Sequence, residues 1–254
     1  MQPTALTFLL VCPFLFLAGF VDAIGGGGGL ISLPIYLIAG LPPHNAIATN
    51  KLSSTFGTAL ATGRFLKHGL IELRLAIPSV MAAIVGSGMG AHLSLMVDTA
   101  VMNYILYIVL PVSAFFVLNK HLFNDERGSD QILLDRRTVL TAVLSAFIIG
   151  VYDGFYGPGT GTFLIIAFTV FAHLGVGIAN AQAKIINLTT NLTSLVIFLL
   201  NGQVLVPLGM AAAACNMLGN YIGSGLVLTR GSKIVRPIIL GVLVLLLLKV
   251  LGIL

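Results

Sequence analysis

Four ionisable residues stand inside long apolar stretches of this 254-residue chain: Asp22, Lys51, Asp153 and Lys184. Each aspartate sits just ahead of a run of glycines, in "GFVDAIGGGGGL" (19–30) and "GVYDGFYGPGTG" (150–161). Each lysine sits in a polar patch, "ATNKLSS" (48–54) or "AKIINLTTN" (183–191). A charge at such a position is disfavoured unless it is paired, hydrated or in use. Glycine breaks a helix and lets a ligand approach the backbone closely. A helix N-terminus left at the break presents free N–H groups and a positive dipole end, which suits an anion. A lysine adds a full positive charge, and side-chain amides and hydroxyls add hydrogen bonds.

On this reasoning the expected anion-binding residues are Gly25, Gly26, Gly27, Gly28, Gly29, Asn50, Lys51 and Ser54, with Gly157, Gly159, Thr160, Gly161, Lys184, Asn187 and Asn191. Asn50/Ser54 and Asn187/Asn191 are i, i+4 pairs, so each pair shares one helix face. Asp22 and Asp153 are open to three roles: counter-ion to a lysine, proton carrier, or cap of a helix N-terminus. The nearby Thr49, Ser53, Thr58, Gln182 and Thr190 could equally be polar glue between helices.

The elements that hold these residues must lie in lipid. The chain is 57% hydrophobic and 8% charged, with a mean hydropathy of +1.06. A soluble domain of that length cannot bury so much apolar surface. Apolar stretches cover roughly 6–40, 44–66, 75–97, 100–118, 138–172, 177–200, 204–228 and 234–254. Most approach the ~20 residues that cross a bilayer as a helix, and none alternates as a barrel strand would. Residues 1–10 carry no basic segment, so the first stretch is expected to remain in place and not to be a cleaved signal. Cys12 and Cys215 have no paired spacing, the five histidines show no ligand spacing, and no metal or other cofactor is expected. The net charge of +5 comes from basic residues in short loops without interleaved aromatics, which excludes a nucleic-acid partner and points to membrane topology.

Displacing the chain on itself by 131–133 residues places Asp22 on Asp153 and Lys51 on Lys184. With one residue inserted, Gly25, Gly27 and Gly29 fall on Gly157, Gly159 and Gly161. An internal duplication follows, with a first membrane repeat at 1–118, a charged cytoplasmic linker at 119–137 and a second repeat at 138–254. The first apolar run of each half is too long for one span and is broken by glycine, so each is expected to form two short half-helices that enter and leave on one side. Three full spans then follow. An odd number inverts the second repeat, and the fold class expected is all-α, polytopic, with two inverted repeats. This arrangement collects Arg64, Lys67, Arg74, Lys120, Arg127, Arg136, Arg137, Arg230, Lys233 and Arg236 on one face, ten of the thirteen Lys and Arg. That face is therefore cytoplasmic and both termini are expected outside. Gly86/Gly90 and Gly219/Gly223 carry the spacing of close helix packing.

The pattern Gly-x-x-Asp-x-x-Gly-x-Gly-Gly-Gly, together with "ATNKLSS", "DGFYGPGTG" and "AKIINLTTN", resembles the TauE/SafE family of small bacterial membrane permeases. The resemblance covers almost the whole chain. It implies a permease of the bacterial inner membrane that moves sulfur-containing anions such as sulfite, sulfoacetate and other sulfonates. The expected function is a secondary transporter working by alternating access, with proton coupling open, and the chain is not expected to be an enzyme. An anion channel of the same architecture is the first alternative. An intramembrane aspartyl protease using Asp22 and Asp153 is the second, although it would need neither the lysines nor the duplicated glycine breaks. The expected partners are a small anionic substrate and the lipid bilayer, with a homo-oligomer allowed.

Overall fold

A computed structural model of the chain describes residues 4–98, 101, 102, 104 and 135–230. The stretch 105–118, the linker up to residue 134, the last apolar stretch, Lys249 and the C-terminus at Leu254 lie outside the described residues. So do the expectations attached to them.

Every element among the described residues is an α-helix: α1 (Ala5–Gly25), α2 (Gly29–Ile38), α3 (Pro43–Lys67), α4 (Leu73–Met96), α5 (Arg136–Phe155), α6 (Thr160–Val170), α7 (Val176–Leu200) and α8 (Val206–Arg230). Their ends follow from local chemistry. Thr4 and Thr7 close a reciprocal capping box at the start of α1. Pro43 opens α3 at the first helical position, where its missing N–H does no harm. Asp135 caps α5 by accepting the Thr138 N–H at 2.6 Å, and that bond holds the Asp135 carboxyl below the usual carboxylate range. α3 and α7 are each followed by a glycine with positive φ, Gly69 at 69° and Gly202 at 65°.

Both long apolar runs are broken at their glycines, as expected, but unequally. The first divides into helices of 21 and 10 residues and the second into 20 and 11. At 1.5 Å per residue α1 is about 31 Å long. The first arm of each broken segment is thus a full-length helix, and only the second arm is short. The reason is the position of the break: Gly26 turns left-handed at φ 76° and ends α1 after an uninterrupted apolar stretch, not at its middle. Among the described residues four helices, α1, α4, α5 and α7, are long and apolar enough to cross a membrane. α3 and α8 match them in length but carry more polar faces.

Helix α4 packs most extensively on α5, and α1 on α8; α3 and α7 touch each other and bridge these pairs. The outward faces are apolar: Ile77, Met81 and Val85 on α4, Leu140, Leu144 and Ile148 on α5. The polar side chains Lys51, Asp153, Gln182, Lys184, Asn216 and Asn220 are buried. This polarity is the one expected where the solvent is lipid.

The close seams are made by glycine. A Cβ on Gly86 or Gly90 would lie 2.4 Å from Phe147 O or 2.0 Å from Val151 O, and one on Gly154 would lie 2.1 Å from Ser87 O. Across α1 and α8, Gly219 and Gly223 meet the Phe16 and Phe20 carbonyls in the same way, at 2.0 and 2.5 Å. The small-residue spacing at these two sites thus does pack helices closely.

These obstacles are backbone atoms, so Gly154→Ala must push α4 and α5 apart. It is expected to lower stability by about 1–3 kcal/mol, read as an earlier thermal unfolding in detergent micelles. Gly63→Ala, where nothing lies within 4 Å of the added methyl, is the control and should not lower it.

Candidate functional site

The site is built where the two glycine breaks meet. A Cβ on Gly26 would lie 2.3 Å from Gly161 C, and one on Gly161 would lie 2.6 Å from Gly26 Cα, so the two loops touch backbone to backbone. Thr162 Oγ1 donates to Gly25 O at 2.8 Å and ties them together. Gly157 and Gly159 hold φ values of 99° and 86°, which a side chain would strain. Beside the contact, the N–H groups of Gly27, Gly28, Gly29, Gly161 and Thr162 make no backbone hydrogen bond among the described residues.

The central helices deliver the charges. Lys51, about a third of the way along α3, places Nζ 2.7 Å from Asp153 Oδ2. Lys184, on α7, places Nζ 2.8 Å from Asp22 Oδ2. Each lysine therefore pairs with the aspartate of the other half of the chain. Lys51–Asp153 is sealed, with side-chain exposures of 1% and 2%; in Lys184–Asp22 the carboxylate is 13% exposed. Asp153 Oδ1 also accepts from Thr160 Oγ1 at 2.6 Å. Neither aspartate is a helix N-cap: each lies in the last turn of a long helix, and the N-caps of the short arms are Gly28 and Gly159, without side-chain caps. Pairing of each aspartate with a lysine also departs from the shared-proton dyad that an aspartyl protease requires.

Around the pairs lies a small polar cavity, about 20 Å³, enough for about one water molecule. Its wall contains Asp22, Gly26, Gly29, Asn50, Lys51, Ser54, Asp153, Gly157, Gly159, Thr160, Gly161, Asn187 and Asn191. Residues expected from sequence thus converge from both halves onto one space. Four do not line it. Lys184 stands behind Asp22; Gly25 and Gly27 use their carbonyls to hold Thr162 Oγ1 and the Leu30 N–H. Gly28 leaves room for Asp22, whose Cβ would be only 2.6 Å from an added methyl.

Three other polar residues of the two patches, Thr49, Ser53 and Gln182, act as glue between elements. Thr49 Oγ1 accepts the Leu205 N–H ahead of α8, Tyr36 donates to Ser53, and Gln182 donates to Glu72 O, whereas the Thr58 and Thr190 hydroxyls donate within their own helices, to Ser54 O and Asn187 O. Thr190 O accepts from Ser87 of α4. Two supporting residues escape sequence reasoning. Ser32 donates to Asn50 Oδ1 at 2.6 Å and orients it, and Thr162 joins the breaks. The only signal for either is a hydroxyl one turn into a short apolar helix.

A polytopic helical bundle with a charged, glycine-cradled centre is the build of a membrane transporter. The chain belongs to the family described as "Sulfite exporter TauE/SafE", matched over residues 11–250. It is 34% identical over 236 residues to "Probable membrane transporter protein ORF9" of Sinorhizobium sp, covering 92% of this chain and 87% of that one. It is 35% identical over 225 residues to a "Probable membrane transporter protein" of Haemophilus influenzae, covering 88% and 86%. It is 36% identical over 224 residues to "Probable membrane transporter protein YfcA" of Escherichia coli K12, covering 88% and 81%. No solved structure matches it. The chain is a membrane transporter of this family, and its relatives are named as transporters and not as enzymes.

Removing one partner of a buried ion pair strands the other. Lys184→Met is expected to destabilise the protein by roughly 3 kcal/mol, and Lys184→Met/Asp22→Asn to recover most of that loss. Thermal unfolding of the wild type, both single variants and the double variant checks it; a double variant no better than Lys184→Met would show that the pair is not coupled.

Proposed function

We propose that the protein is a secondary transporter for a small anion of the sulfur oxyanion or sulfonate class, moved through the crossing of the two glycine breaks. The observation that carries this reading is the reciprocal pair of lysine–aspartate bridges at that crossing, beside backbone N–H groups with no helical partner. Lysines, free N–H groups and the amides of Asn50, Asn187 and Asn191 are together a donor set for a multidentate oxyanion. The choice of a sulfur-containing anion rests on the family description.

The charges at the centre sum to zero when both bridges are intact. An arriving anion would leave one uncompensated negative charge in a low-dielectric space, which is strongly unfavourable. Taking up one proton on an aspartate with each anion removes that charge and frees a lysine to bind. Passage as anion plus proton is therefore the coupling proposed. The cavity holds only about one water as it stands, so the halves must separate to admit substrate. Correspondence of helix lengths and of packing partners between α1–α4 and α5–α8 supports two repeats that rock against each other, the second inverted in the membrane. Boundaries at 1–118, 119–137 and 138–254, an inner-membrane location and extracytoplasmic termini belong to the same proposal.

Flux of sulfite, sulfonates and carboxylates into liposomes, with and without a proton gradient, tests it. Lys51→Ala and Lys184→Ala are each expected to lower anion flux at least about tenfold, a loss of roughly 1.4 kcal/mol of stabilisation. Wild-type flux in both variants would remove the site, and flux indifferent to pH would remove the coupling. A reporter fused after Leu254 should read as extracytoplasmic; a cytoplasmic signal would overturn the inverted arrangement.

A further inference from the structure

The two aspartates are not equivalent. Asp22 has one side-chain partner, Lys184, on Oδ2, and none on its other oxygen among the described residues. Asp153 is held on both oxygens, by Lys51 on Oδ2 and by Thr160 Oγ1 on Oδ1. The Thr160 hydroxyl lies 2.6 Å from Asp153 Oδ1 and 2.7 Å from Gly157 O, yet it has a single proton to donate. Where the halves align, Gly28 stands in the place of Thr160, so the first half has no such hydroxyl.

We propose that Asp153 is the carboxylate that takes up the transported proton, that Thr160 is the positioning residue that accommodates both of its protonation states, and that Asp22 remains a fixed counter-ion to Lys184. The proposal rests, for its purpose, on the coupled passage of anion and proton proposed above. With Asp153 ionised, Lys51 donates to one oxygen and Thr160 to the other. When an aqueous proton binds Oδ1, the new O–H donates to Thr160 Oγ1, and the Thr160 proton turns to Gly157 O. Lys51 keeps its charge and is released toward the anion. The Thr160 hydroxyl proton and the carboxylic-acid proton each have an acceptor in both states, which lets a buried group change protonation without stranding either donor. Asp22, partly exposed and with Lys184 as its one side-chain hydrogen-bond partner among the described residues, has no such provision.

The charged and titratable groups around Asp153 are few. Lys51 faces it from α3, Asp22 faces the same cavity from α1, and Lys184 of α7 stands behind Asp22. α4 presents Gly86, Ser87, Gly90 and Ala91 to α5, and α6 contains no titratable residue. On α5 itself Tyr152 donates to Pro158 O, and Tyr156 is buried just beyond the helix end. Gly157 completes the arrangement, because a Cβ there would lie 3.0 Å from both Asp153 Oδ1 and Lys51 Nζ.

The test is pH-difference infrared spectroscopy of the full chain in lipid, reading the carboxylic-acid C=O band, alongside the pH profile of flux. A protonating band is expected in the wild type, lost in Asp153→Asn and retained in Asp22→Asn. Thr160→Ala should move the band to higher frequency, as for an acid without an acceptor, and Thr160→Ser should restore it. The flux profile of Asp153→Asn should vary less than about twofold where that of the wild type varies about tenfold, the ratio for one bound proton per pH unit. A band that is missing in the wild type, survives Asp153→Asn, disappears in Asp22→Asn or ignores Thr160→Ala would overturn the assignment. The infrared readout needs no substrate, so it can succeed where anion flux fails, and the two proposals fall separately.

Discussion

The arrangement of this protein depends on neutralising four charges in the interior of the bundle. Two lysines and two aspartates can stay inside a lipid-embedded bundle only as pairs, because an isolated ion there is penalised heavily. The pairing is made across the chain, Lys51 to Asp153 and Lys184 to Asp22. Each bridge therefore does more than satisfy a charge: it clamps the polar helix of one half onto the broken helix of the other.

Around that constraint the rest of the bundle can be understood as means of close approach. The glycine seams of α4 with α5 and of α1 with α8 bring backbones within reach of one another, and the glycine breaks then meet without side chains between them. Close approach concentrates backbone N–H groups in the same space as the charges. It also leaves almost no free volume, and the constriction of the cavity follows directly.

Much of the site was legible in the sequence because charge inside an apolar run is rare and therefore informative. Asp22, Lys51, Asp153 and Lys184 stand out on that ground alone, and the i, i+4 spacing of Asn50/Ser54 and Asn187/Asn191 identifies the cavity-facing pairs. Glycine content marked where the helices break. It could not tell how long each arm would be, since that depends on how far an apolar helix runs before its left-handed stop at Gly26 or the turn after Phe155. Thr49, Ser53 and Gln182 look in the sequence like the residues that line the cavity, yet they hold neighbouring elements. Composition is the same for both uses, and only the direction of the face differs.

The sequence by itself determined the membrane class, the helical content, the glycine breaks, the close-packing seams and the identity of the four central charges. Each of these is a local or compositional property, set by hydropathy, by the backbone freedom of glycine and by the penalty on a buried ion. The tertiary structure alone decided which lysine meets which aspartate. It also decided that Ser32 and Thr162 support the site, and that Asp153 has a hydroxyl partner that Asp22 lacks. Those are relations between residues more than a hundred positions apart or on different helices, and a hydrogen bond of under 3 Å exists only once packing has brought its two ends together.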